Sequence, residues 1–178
     1  MLFRSEVSQD IWTRIMGYNP SNHQGMSLPI ESVTWYDCLY FCNKLSEFLG
    51  FQKCFTFQKI KEKNKHIISA NIIWHTKANG FRLPTTLEFV SVLYSNYFDG
   101  VDQIPNLDDI AWYQGNANCK TYPIKTRLPS DWGFYDLIGN VNEWCMDSVD
   151  DLVENNINNR QNNDIYWDHI HKSKDELK

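Results

Sequence analysis

The sequence predicts an α+β domain in which a few helices flank one small twisted sheet and much of the chain is irregular. Three observations carry this. Apolar residues recur at helical spacing behind capping residues in three segments. Two short runs read as strands around a Lys-rich connection, and the stretch from 99 to 140 holds only turn signals and aromatic pairs. At 178 residues the chain is long enough for one domain that buries roughly 70% of its unfolded surface. With 42% apolar residues, seven Trp, nine Tyr and ten Phe, it can pack an aromatic-rich core without disulfides.

Taken in order, Ser8 is placed to cap a helix running to about Met16, because Ile11, Trp12, Ile15 and Met16 share a face and Gly17 can end it. The following YNPSNHQGMSLP is turn-rich and irregular. Thr34 caps a second helix, with Asp37 at the third position as a capping box made with a shorter acid. Trp35, Cys38, Cys42, Leu45 and Leu49 repeat at helical spacing before Gly50, so Cys38 and Cys42 read as core thiols rather than metal ligands. Residues 54–58 and 66–74 read as strands, and KIKEKNKH between them as a solvated hairpin or loop. In FRLPTTLEFVSVL, Pro84 ends an extended segment while Thr85 and Glu88 form a T-x-x-E box for a third helix. From about residue 150 the chain turns Asn-rich. The packed domain is therefore expected over 1–148, followed by a mobile tail over 149–178. His169 and His171 in that tail have no third ligand in view and read as exposed.

Composition also excludes. A net charge of −5 gives no general grip on nucleic acid or acidic lipid. Five cysteines without a CxxC suggest neither a full disulfide framework nor a zinc ribbon, so reduced thiols are expected. No export signal or apolar run of membrane-spanning length is present, which points to a cytoplasmic protein. KDEL at 174–177 is followed by Lys178 and is not a terminal retrieval signal.

The run DLIGNVNEWC, residues 136–145, sets Asp136 and Glu143 seven apart around Gly139. It reads as a tight loop folded around something positive, or as a turn whose acids face water.

Taken together, EVSQDIWTRIMGYNPS, LPIESVTWYDCLYFCNKLSE, NGFRLPTTLEF, AWYQGN and WGFYDLIGNVNEWC resemble the formylglycine-generating enzyme, or sulfatase-modifying-factor, family. Five motifs in the family's order span residues 6–145. The resemblance implies a variant of the C-type-lectin fold with low regular secondary structure. It also implies a structural calcium site in the 136–143 loop, with Asp136 and Glu143 as side-chain ligands and Gly139 and Val141 as carbonyl ligands. Asn140 and Asn142 are expected to hydrogen-bond the loop. A second family calcium site is not carried over, since Ala111 stands where an Asn carboxamide is expected; Trp112, Tyr113 and Trp144 then read as core aromatics.

The chain departs from the catalytic members. Their paired cysteines and RGGSW-like strand, which follow the calcium loop, do not appear after Cys145. Copper, which needs two close thiolates, is not expected. The H-x3-H-x-E helix of related iron-dependent sulfoxide synthases is missing too, and the chain resembles the middle of a family domain cut at both ends. The expected function is a non-catalytic or truncated, calcium-braced module that binds a protein partner or peptide. The alternative is a copper-dependent formylglycine-generating oxidase, or a component of one, acting on a protein cysteine. Sugar-binding QPD and EPN motifs are absent, and the oligomeric state is left open.

Overall fold

The computed structural model describes residues 3–97 and 105–147. The chain divides into two compact units, Met1–Met146 and Asp147–Lys178. The predicted tail over 149–178, with its two histidines, lies outside the described residues.

The first unit carries α1 (Gln9–Met16), α2 (Trp35–Phe48), β1 (Phe55–Lys63), β2 (His66–Trp74), α3 (Thr86–Tyr97) and α4 (Leu107–Ile110). Each predicted cap forms. The Ser8 side chain accepts from Ile11 N, and Gly17 at φ 82° closes α1 by donating to Thr13 O. Thr34 and Asp37 make the reciprocal box of α2. Thr85 and Glu88 do the same for α3, at 2.8 and 3.2 Å.

Two expectations are refined. The Lys-rich run is the solvated hairpin rather than a loop, and the first strand is longer than expected: β1 continues through the run to Lys63, and only Asn64 and Lys65, both at positive φ, form the connection. Two consecutive left-handed residues suit the right-handed twist of a tight hairpin, so the register closes without a longer loop. A bulge near Lys59, at φ 51°, interrupts the antiparallel pairing of β1 with β2. The 99–140 stretch also holds one helical turn, α4, because the Asn106 side chain caps Asp108 N.

The core forms where these elements meet. Trp12 of α1 stacks on Phe41 of α2 at 4.9 Å, with Leu45 beside them. Leu39, Cys42, Cys54 and Phe55 join α2 to the inner face of the sheet, so Cys42 is a core thiol as expected. Tyr97, Ile110 and Ala111 make a third cluster under Leu137 and Ile138. Each fully buried large apolar side chain contributes on the order of 2–3 kcal/mol. Buried Gln9 satisfies the irregular 17–30 stretch: its amide donates to His23 O and Pro29 O and accepts from Asn19 and Gly25 N. Among the described residues, no helix is long and apolar enough to cross a membrane.

Candidate functional site

The 136–143 loop is shaped by its backbone. Asp136, Gly139 and Asn140 all have positive φ, at 57°, 86° and 54°, so the chain turns back on itself within five residues. At Gly139 nothing larger fits: a Cβ would stand 2.1 Å from Trp112 O. The close approach lets Asn140 N donate to that carbonyl at 2.7 Å, forming an isolated parallel bridge between Trp112 and Gly139.

Asn140 then ties the loop down, as the sequence suggested. Its side chain donates to Tyr122 O and to Glu6 Oε2 and accepts from Tyr122 N. Asn142, by contrast, is exposed and makes no hydrogen bond among the described residues. Trp144 is not a core aromatic: it is 51% exposed, and its indole N–H donates to Val33 O, so it bridges the loop to the segment before α2. Trp35 reaches back to Cys145 O, and Met146 N donates to Pro84 O. Trp112 is half-buried between the Tyr122 ring at 3.7 Å and the Arg127 guanidinium at 3.6 Å.

The carboxyl groups are crowded. Asp136 is buried, and one of its oxygens accepts from Lys125 N at 2.8 Å. Burial raises its carboxyl, opposed by that bond and by the Lys125 charge. Glu143 keeps a face open to water, which limits how far the surrounding packing, and after it the Asp136 charge, push its carboxyl up; the direction is upward.

The structure adds a third acid that the loop motif alone did not indicate. Glu6 is buried beside the loop and accepts from Val141 N at 3.1 Å and from Asn140. Burial, then the charges of Asp136 and Glu143, push its carboxyl up to about 9, against two hydrogen bonds that favour the anion. Glu6 stands in the first of the five matched motifs, but its 134-residue separation from Asn140 hides the contact from local reading.

Four oxygen groups of the loop remain without a protein donor among the described residues: the second Asp136 oxygen, the Gly139 and Val141 carbonyls, and the Glu143 carboxylate. Hard oxygens of this kind suit calcium. No group of three His, Cys, Asp or Glu side chains poised for a metal occurs among the described residues, so a cation here would depend on the backbone carbonyls.

The five cysteines are free. Burial, then the neighbouring Cys42 and Asp37, raise the Cys38 thiol; burial and Cys54 push Cys42 up to about 12. Cys119 is exposed and Cys145 half-buried.

Residues 4–167 match the family described as Sulfatase-modifying factor enzyme 1-like domain. Chaperone protein LppX of Paenibacillus barcinonensis is 32% identical over 168 residues, covering 79% of this chain and 59% of that protein. Among solved structures, Treponema denticola variable protein 1 is 30% identical with a TM-score of 0.67, covering 80% of this chain and 60% of that one. A structure described as CarF is 25% identical with a TM-score of 0.57, covering 81% and 66%. The chain thus spans about three fifths of the length of the first two relatives.

Proposed function

The chain belongs to the family of sulfatase-modifying factor enzyme 1-like domains, and from that premise we propose that it is a non-catalytic, calcium-braced scaffold that binds a protein or peptide partner. The observation that carries the reading is the set of four loop oxygens left without protein donors beside three crowded carboxyl groups. Asp136, Glu143 and the Gly139 and Val141 carbonyls would hold calcium, whose charge would offset the three acids beyond what Lys125 supplies.

Two further features support the scaffold role. Half-buried Cys38 and buried Cys42 stand one helical turn apart, and burial raises both thiols, which disfavours the thiolates that copper chemistry requires. Large apolar side chains stand exposed on the loops and at the end of α2, Phe48, Leu128, Trp132 and Trp144 among them, and offer contact area to a partner. The name of one relative, a chaperone protein, is in keeping with partner binding.

Thermal melting with calcium, magnesium or chelator tests the brace. At free calcium about a hundred times the dissociation constant, the folded state should gain about 2.7 kcal/mol. Magnesium should substitute poorly, because it demands tighter octahedral geometry. Glu143→Gln should blunt the calcium response and leave the chelated protein as stable or slightly more so. A wild-type midpoint indifferent to calcium after chelator stripping would reduce the loop to a turn.

A further inference from the structure

We propose that a cavity between the hairpin tip and the segment leading into α2 binds a small carboxylate with a branched aliphatic body, through Lys63, Asn64 and His66. This goes beyond the calcium loop and does not depend on it. The cavity is a hollow of about 360 Å³, open to solvent, and Val33 and Ile68 give it aliphatic walls.

Its polar lining brings the Lys63 ammonium and the Asn64 amide donors beside the His66 ring. Lys63 is exposed and joins no ion pair, and the Asn64 side chain makes no hydrogen bond, among the described residues. His66 donates or shares its Nδ1 with Asp37 Oδ2 at 2.7 Å, which fixes the ring and leaves Nε2 free. Asp37 is itself 1% exposed and accepts from Thr34 N and Ile67 N, so it is a rigid positioning residue. The other lining hydroxyls are engaged: Thr34 donates to Ile67 O and Ser32 to Glu31.

The hairpin register makes this arrangement specific. Lys63 and His66 are direct cross-strand partners flanking the two-residue turn. Asp37 holds the His66 ring, while Lys63 forms no ion pair among the described residues. An anion seated between them would compensate the ammonium and accept from Asn64 and, when protonated, from Nε2. The charged or titratable groups around His66 are Asp37 from α2, Glu62 and Lys63 from β1, and Tyr18, whose ring meets the imidazole edge-on.

The test is NMR titration of the full chain with isovalerate, acetate and inorganic sulfate. Isovalerate should shift the His66 ring and Asn64 amide signals saturably at about pH 6, with a dissociation constant on the order of 1 mM. The affinity should fall about tenfold in Lys63→Gln, a surface change that leaves the remaining spectrum in place. Ile68→Ser should weaken isovalerate and leave acetate unaffected. Shifts that never saturate, an affinity that Lys63→Gln leaves unchanged, or sulfate binding as tightly as isovalerate would each overturn the proposal.

Discussion

Gly139 shows how one residue can decide a site. Its φ of 86° is strained for any side chain, and its missing Cβ leaves room for the Trp112 carbonyl that anchors the loop. Gly139→Ala should therefore destabilise the fold by roughly 2–4 kcal/mol, combining left-handed strain with a backbone clash. Urea unfolding would measure it, and a loss below about 0.5 kcal/mol would mean that the bridge gives way without consequence. Glu6 makes a pH prediction. Its folded carboxyl is raised to about 9 from an ordinary value of 4.5, so folding takes up a proton between those values. Without calcium, the Glu6 contribution is then fully present below the ordinary carboxylate range and lost as the pH rises toward about 9. Glu6→Gln should flatten that slope in chelator, as compared by urea melts at about pH 5 and about pH 8. Calcium should flatten it in the wild type too, since a bound cation favours the ionised acids and expels their protons. A slope that ignores both changes would separate Glu6 from the loop's electrostatics.

At the scale of elements, the same capping box appears twice with different worth. In α2 the box is buried, and Asp37 serves Thr34 N, Ile67 N and His66 together, joining the helix to β2. Asp37→Ala would strand two backbone donors and should cost about 2–5 kcal/mol. In α3 the box faces water: Arg82 grips Glu88 through two 2.7 Å bonds and holds its carboxyl down to about 2, yet both side chains are at least a third exposed. Glu88→Gln should then cost under about 1 kcal/mol. Equal losses in denaturant unfolding would refute the assignment of these effects to burial. Both boxes were legible in the sequence, as were α1 and its Gly17 stop, because caps are written within four residues. The extent of β1 was not. A lysine run favours solvent over packing, and it forms a strand here only because the I′-type turn at Asn64 and Lys65 fixes its register against β2.

For the whole molecule, the order of the motifs indicated the family and its α+β fold, while the loop chemistry was only half visible. Asp136 and Glu143 lie within eight residues of each other around Gly139, and it was the family resemblance that grouped them with Gly139 and Val141 as a set. Glu6 and the Trp112 carbonyl reach the same place from far along the chain, which no local pattern records. Trp144 was misplaced because a large aromatic is usually buried, whereas here its N–H is used to pin the loop to Val33. The bond between Glu6 and the backbone of Val141 spans 135 residues, and that span bears on the order of events during synthesis. At a typical elongation rate, Glu6 leaves the ribosome on the order of ten seconds before its partners exist. Helices α1 and α2 can pack meanwhile, since their contacts are local. The acid that will sit under the loop has to wait in water, ionised, and closure falls to residues near the end of the first unit. Long loops close slowly and late, so the nascent chain passes through a stage with helices formed and the acidic loop still open.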